Sequence, residues 1–125
     1  MYFILNSFIP VKTSEKCIKG LKLCPTYVDD IANCILLGLK MEISGIYHVA
    51  NSECVSRFEL TKRLFERLDS TIPIHEFSIE NFDFKEEKAL DTTLNSNKFN
   101  EIINFSFTPI EKVISKFVTN LEIGC

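Results

Sequence analysis

Two stretches decide the fold of this chain, PTYVDDIA at residues 25–32 and GIYHVAN at residues 45–51. The first opens a predicted helix over about residues 27–40, capped by Thr26, with Asp29 and Asp30 at the positive end of its dipole. Its apolar residues recur at three-and-four spacing, as an amphipathic helix requires: Val28, Ile31, Ala32, Ile35, Leu36 and Leu39. The second stretch is continuously apolar and β-branched from Gly45 to Ala50, which predicts a strand buried on both faces of a parallel sheet.

Later segments repeat this alternation of helix and short strand. SRFE at residues 56–59 is a capping box, and it predicts a helix with Leu60, Leu64, Phe65 and Leu68 facing inward. The last helix is expected after Thr108 as cap and Pro109 at its first position. Its stripe is Ile110, Val113, Ile114, Phe117, Val118 and Leu121. Short strands are predicted at residues 21–24 and 72–77, a solvated helix face at 12–22 and a loop at 78–87.

The amino-acid composition limits the classes of protein to which this chain can belong. The chain has 125 residues, 46% of them hydrophobic, which fits one α/β folding unit over residues 1–125. Its net charge of −3, from 14 basic and 17 acidic residues, argues against a nucleic acid or a membrane as partner. The five cysteines lack zinc or redox spacing, so we expect free buried thiols in a reducing, cytoplasmic compartment.

The requirements of hydride-transfer chemistry are missing from the sequence. A dinucleotide-binding turn needs closely spaced glycines, but the glycines stand far apart at positions 20, 38, 45 and 124. A tyrosine acid needs a lysine one helical turn later to lower its pKa. The residues four positions after Tyr2, Tyr27 and Tyr47 are asparagine, isoleucine and asparagine. We therefore predict no catalytic, cofactor-binding or metal-binding residue in this chain.

Together with LDTTLNS at residues 90–96, the two opening stretches and the capping box carry a family resemblance. In order and spacing they resemble the C-terminal, substrate-binding half of one branch of the extended short-chain dehydrogenases, the dTDP-4-dehydrorhamnose reductase-like (RmlD-like) branch. That branch is also related to the NAD-dependent epimerases and dehydratases. The resemblance implies a small α/β lobe of helices with a few short, mainly parallel strands. It also implies that no complete Rossmann domain is present, since the N-terminal cofactor-binding domain is absent.

The same resemblance implies substrate contacts at Thr26, Tyr27, Lys88 and Asp91. Lys88 stands where relatives carry an arginine before the Leu-Asp pair. An arginine fork grips a diphosphate in bidentate fashion, whereas lysine offers a point charge, so this contact is expected to be weaker.

Two functions are implied. The first is a truncated or stand-alone substrate-binding domain of a sugar-nucleotide reductase or epimerase, without oxidoreductase activity on its own. Its relatives use NADPH or NADH, bound by the missing half, and its partners would be a nucleotide sugar and a cofactor-binding domain. The second is a non-catalytic regulatory subunit, similar to that of methionine adenosyltransferase. Self-association through an apolar face is a further expectation, and residues 2–9 belong either to that face or to a buried N-terminal helix.

Overall fold

The computed structural model describes residues 14–81, 85, 87 and 89–123. Its strands are β1 (Glu15–Ile18), β2 (Lys22–Leu23), β3 (Val55–Ser56) and β4 (Ile74–Phe77). Its helices are α1 (Val28–Lys40), α2 (Arg57–Arg67), α3 (Asn97–Ile103) and α4 (Ile110–Ile123), with a short 3₁₀ turn at Ile79–Asn81. The α/β class is confirmed, and α3 is a helix that the sequence did not predict.

The strands form two small ladders. β1 runs parallel to β4, from Glu15 opposite Ile74 to Ile18 opposite Phe77, and β2 runs antiparallel to β3. The prediction of a helix face at residues 12–22 is therefore wrong for its described part. Lys16 is exposed while Cys17 is fully buried, so the pattern there follows the two-residue period of a strand. The apolar stretch at residues 2–9 lies outside the described residues.

The core lies between α2 and α4. Leu60 and Leu64 of α2 are buried against Ile110 and Ile114 of α4. Partly buried apolar residues close the edges of this cluster: Leu23, Val55, Phe117 and Val118. Burial of apolar surface is the main source of stability, and both predicted stripes supply it. Leu68 and Leu121, at the ends of those stripes, remain exposed.

Helix capping agrees with the sequence at one site and departs from it at two. Ser56 caps α2 as predicted, since its Oγ accepts the N–H of Glu59 at 3.1 Å. The hydroxyl of Thr26 does not cap α1 but donates to the carbonyl of Cys24. The predicted cap of α4 is also wrong, because the Glu53 carboxylate accepts the N–H of Ile110 at 3.1 Å.

Asp30 binds the chain that leads into α4. Its side chain is buried, and its two oxygens accept the backbone N–H and the hydroxyl of Thr108 at 2.7 and 2.9 Å. The sequence assigned Asp30 only to the helix dipole. Its larger role is to hold Thr108.

The predicted strand at residues 45–50 does not form. Ile46 is 83% exposed, His48 is also exposed, and no described strand lies beside this segment. A strand needs a neighbour to receive its backbone hydrogen bonds, and within the described ranges this apolar run has none.

The apolar stripe of α1 faces outward. Val28 is 69% exposed and Leu39 is 70% exposed, and Ile35 and Leu36 between them are exposed as well. The buried positions of α1 are instead Asp30, Cys34 and Gly38. We call Val28, Ile35, Leu36 and Leu39 the α1 outer face. An apolar stripe of this kind normally packs against another element.

Cys24 and Cys54 form a disulfide, which corrects the prediction that both are free thiols. The β2–β3 ladder pairs Leu23 with Val55, so the next residues outward, Cys24 and Cys54, stand opposite each other. Their Cα atoms are 4.1 Å apart. Cys17 and Cys34 are free and buried, as expected, and Cys125 lies outside the described residues.

Candidate functional site

A polar cavity of about 570 Å³ opens beside the β2–β3 ladder. Nine of its twelve lining residues carry a charged or hydrogen-bonding side chain: Lys22, Ser52, Ser56, Asp91, Thr93, Asn95, Ser96, Asn97 and Asn100. The other three are Cys54, Val55 and Leu94. We call it the Lys22 cavity. Its volume lies within the range of small-molecule sites, and its lining is more polar than is usual for them.

Lys22 lies between two chain segments at the cavity. On one side it pairs with Ser56 in the β2–β3 ladder, and on the other it forms a parallel bridge with Asp91. The Lys22 N–H donates to the carbonyl of Leu90 at 2.7 Å, and its carbonyl accepts the N–H of Thr92 at 3.1 Å. Residues 90–92 thus act as a third strand, which holds the predicted contact Asp91 beside a lysine.

Asp91 is fixed by its own turn. Its Oδ1 accepts the Thr93 backbone N–H at 3.0 Å and the Thr93 hydroxyl at 2.6 Å. Both hydrogen bonds lower the pKa of the Asp91 carboxyl, and the one from the Thr93 hydroxyl has the larger effect. The charge of Lys22 lowers this pKa further. The cavity therefore carries one positive and one negative side chain, whose charges offset each other.

Helix α3 supplies the opposite wall. Asn97 and Asn100 lie three residues apart, so they share a face of the helix, and both line the cavity. Asn95 Oδ1 accepts the Asn97 N–H at 2.8 Å. Ser96 is buried, and its hydroxyl both donates to the carbonyl of Ala50 and accepts the N–H of Ala50.

Of the predicted substrate contacts that the structure describes, only Asp91 lines the cavity. Thr26 does not line the cavity; its hydroxyl accepts the N–H of Asn51, the residue before cavity-lining Ser52. The Tyr27 ring lies under the ammonium group of Lys116, 4.5 Å from its centroid. Lys88 lies outside the described residues. The sequence missed the asparagines of α3, although a run of asparagine and serine at residues 95–97 was visible as a signal.

The buried side chain of Asn51 connects three segments next to the site. It is 1% exposed, and its amide donates to the carbonyls of Pro25 and Thr108 while its Oδ1 accepts the N–H of Glu53. Every polar atom of this buried amide has a partner. It therefore joins the start of α1, the start of α4 and the chain that enters the cavity.

A second, apolar groove of about 390 Å³ lies along α1. Ile31, Ile35 and Leu39 of α1 line one side, and Tyr47, Val49 and Phe99 line the other. Cys34 lies in this groove, where burial, with a smaller effect from the charge of Asp30, raises the pKa of its thiol to about 11. A thiol with such a pKa stays protonated and unreactive near neutral pH.

The residues of this part of the chain do not fit a dinucleotide. Gly38 is buried inside α1 against Ile43, and Gly20 and Gly45 have positive φ in separate turns. None of these three glycines lies in a strand–turn–helix that would approach a pyrophosphate. The described residues also contain no cluster of three metal-ligating side chains, and no helix among them is both long and apolar enough to cross a bilayer.

Comparison with protein families gives a match over almost the whole described chain. The family described as the RmlD substrate binding domain matches residues 16–123. The chain belongs to this family. The residues that line the Lys22 cavity, from Lys22 to Asn100, all lie inside the matched range. A comparison of this chain with curated proteins gives no match.

The solved structures similar to this chain include dTDP-4-dehydrorhamnose reductases. The Bacillus anthracis reductase, solved in complex with NADP, has a TM-score of 0.80 at 21% identity and matches 94% of this chain and 43% of its own. The Clostridium acetobutylicum protein has a TM-score of 0.82 at 15% identity, covering 96% of this chain and 44% of its own. The Yersinia enterocolitica reductase has a TM-score of 0.71 at 18% identity, covering 92% of this chain and 42% of its own. The RmlD-like chain thus spans less than half the length of these structures.

Proposed function

We propose that this chain is the substrate-binding domain of a sugar-nucleotide reductase or epimerase and that it binds a nucleotide sugar in the Lys22 cavity. The observation that carries the proposal is the match of the RmlD substrate binding domain to residues 16–123, within which this polar cavity lies. Residues 1–125 act as one domain. Asp91 contacts the substrate inside the cavity. Thr26, Tyr27 and Lys88 contact the part of the substrate that extends beyond the cavity, Lys88 as a point charge.

The chain acts together with a cofactor-binding half that holds NADPH or NADH. The α1 outer face supports this part of the proposal, because a row of exposed apolar side chains on a helix is typical of a surface that another domain covers. Ile46, in the segment that follows α1, is also an exposed apolar residue. Without that half, the chain binds substrate but does not reduce it.

A titration followed by NMR tests this function. The ¹⁵N-labelled chain is titrated with dTDP-glucose, alone and with the cofactor-binding half of the Bacillus anthracis reductase present. We expect shifts confined to the Lys22 cavity and to Thr26 and Lys88. Shifts elsewhere, or none under either condition, would contradict the proposal. Unlabelled dTMP serves as a control for binding of the nucleotide without its sugar substituent.

A regulatory or interaction subunit is the second candidate. The α1 outer face supports it too, since the same apolar stripe suits an unrelated enzyme as partner. The two candidates differ in what the chain binds in its source. Recovery of the native polypeptide in a stable complex with an unrelated enzyme, with no response to nucleotide sugars, would favour the second. Recovery as part of a polypeptide more than twice this size would favour the first.

A further inference from the structure

The two residues of the Cys24–Cys54 disulfide differ in their access to solvent. Cys54 is exposed and lines the Lys22 cavity, whereas Cys24 is half-buried and does not line it. Pro25, which follows Cys24, is buried. A thiolate cleaves a disulfide by attacking one of its sulfur atoms, and access helps to decide which sulfur is attacked. In this disulfide the accessible residue is Cys54.

The other described cysteines lack this access. Cys17 is fully buried, and Cys34 is 2% exposed. Burial also raises the pKa of the Cys34 thiol to about 11, so almost none of it is the reactive thiolate near neutral pH. Among the residues that the structure describes, the cysteine chemistry open to a small molecule is therefore that of the disulfide.

Contacts other than the disulfide hold the segments of its two cysteines together. Leu23 and Val55, which pair in the β2–β3 ladder, stand directly beside the cysteines. The side-chain amide of Asn51 donates to the carbonyl of Pro25 at 3.1 Å, and its backbone N–H donates to the hydroxyl of Thr26 at 2.9 Å. None of these contacts uses the S–S bond, so the two sulfur atoms stay close when it opens. A reactive group held close to its target acts at a high effective concentration.

The Lys22 cavity gives a small thiol room beside Cys54. Its volume of about 570 Å³ lies within the range of small-molecule sites. Lys22 and Asp91 place charges of both signs in its lining, which suits a thiol that carries both ammonium and carboxylate groups. Because Cys54 itself lines the cavity, a group attached to its sulfur occupies the same space.

We propose that Cys54 is a thiol–disulfide exchange site for a small thiol with ammonium and carboxylate groups, and that Cys24 is its resolving cysteine. The thiolate of the small molecule attacks the Sγ of Cys54, a new S–S bond forms, and the Cys24–Cys54 bond breaks. The electron pair of the broken bond leaves with the Cys24 sulfur, which takes a proton from solvent. In the reverse step the Cys24 thiolate attacks Cys54, expels the small thiol and restores the disulfide.

The mixed disulfide at Cys54 fills the Lys22 cavity and excludes the ligand of that cavity. Only the identity of the excluded ligand, a nucleotide sugar, rests on the proposed function. The exchange itself depends on the access of Cys54 and on the nearness of Cys24.

Mass spectrometry of two variants, both with Cys125→Ser to remove a third thiol, tests the exchange site. Cys24→Ser leaves Cys54 as a free thiol, and Cys54→Ser is the matched control that leaves Cys24. Each folded variant is incubated with oxidised glutathione, and the adduct is located by peptide mapping after an acid quench. We expect Cys54 to take up one glutathione roughly tenfold faster than Cys24 does, because Cys24 is less accessible. Cys17 and Cys34 should stay unmodified, which also reports that the fold is intact.

A second measurement keeps both cysteines of the disulfide. The chain is treated with reduced glutathione, and the mixed disulfide trapped by acid should carry the glutathione on Cys54. Equal rates in the two variants, or trapping of glutathione on Cys24, would overturn the inference. So would a disulfide that reduced glutathione opens only after the chain is unfolded in urea.

Calorimetric titration with dTDP-glucose separates this inference from the proposed function. Cys24→Ser should bind dTDP-glucose like the wild type and lose this binding once glutathione is attached at Cys54. Undiminished binding by the glutathione adduct would overturn the inference that the adduct fills the cavity. A chain that exchanges glutathione at Cys54 but never binds dTDP-glucose would support the exchange site and contradict the proposed function.

Discussion

Helices α1 and α4 have the same kind of apolar stripe and opposite surroundings. Ile110, Val113 and Ile114 of α4 are buried, whereas Val28 and Leu39 of α1 are about 70% exposed. α1 is held instead by its polar side, through the carboxylate of Asp30. The comparison teaches that an amphipathic pattern shows which face of a helix is made for contact, but not whether the contacting surface belongs to the same chain.

The largest expected effect comes from truncating the buried stripe. Ile114→Ala should lower the free energy of unfolding by about 3 kcal/mol, because it opens a cavity between α2 and α4. Urea unfolding followed by circular dichroism measures it. The matched control is Leu39→Ala on α1, where we expect a change within about 0.5 kcal/mol. Equal losses for the two variants would remove the distinction between the two helices.

A smaller loss is expected at the polar attachment of α1. Asp30→Ala deletes a buried carboxylate that accepts two hydrogen bonds from Thr108, so it should cost about 2 kcal/mol of unfolding free energy. Thermal unfolding of the variant provides the measurement. Asp29→Ala is the control, since the neighbouring carboxylate is exposed. A near-neutral Asp30→Ala would mean that the loop at Thr108 does not hold α1.

Substitutions on the α1 outer face should hardly change the stability of the fold but should weaken self-association strongly. The double change Leu36→Ser and Leu39→Ser should move the unfolding free energy by less than about 0.5 kcal/mol, since both side chains are exposed. It should abolish self-association in sedimentation and reduce binding of an apolar dye. A wild-type chain that sediments as a clean monomer and binds no dye would contradict the assignment of this face.

The smallest effect concerns the titration of Asp91. Its carboxyl pKa is lowered chiefly by the Thr93 hydroxyl, so Thr93→Val should raise it toward the ordinary aspartate value. Because the folded pKa is below the unfolded one, the stability from this group is present above the unfolded pKa. That stability is lost as the pH falls through the folded pKa. Side-chain ¹³C NMR over acidic pH measures the midpoint, and an unchanged midpoint in Thr93→Val would contradict this cause.

Local sequence patterns correctly predicted the elements whose packing partners lie within this chain. The Ser56 cap depends on near neighbours in sequence and was correct. The stripes of α2 and α4 pack on each other and were correct except at Leu68 and Leu121, which are exposed. The strand at residues 45–50 was wrong because strand formation depends on a partner that the local pattern cannot supply.

The site was harder to predict than the fold. Asp91 was named from the resemblance, and the structure finds it at the cavity. Asn97 and Asn100 were missed because α3 itself was not predicted, and only its packing brings them to the cavity. The Cys24–Cys54 disulfide was missed because its partners are 30 residues apart and meet only through strand register.

That disulfide also determines what happens when the chain is cut. It encloses α1, the apolar segment at residues 45–50 and Asn51 in one covalent ring. A protease that cleaves once anywhere between Pro25 and Glu53 therefore produces two pieces that still migrate together. They separate only when a thiol reductant is added, so a nicked molecule keeps both halves of its cavity on one connected body.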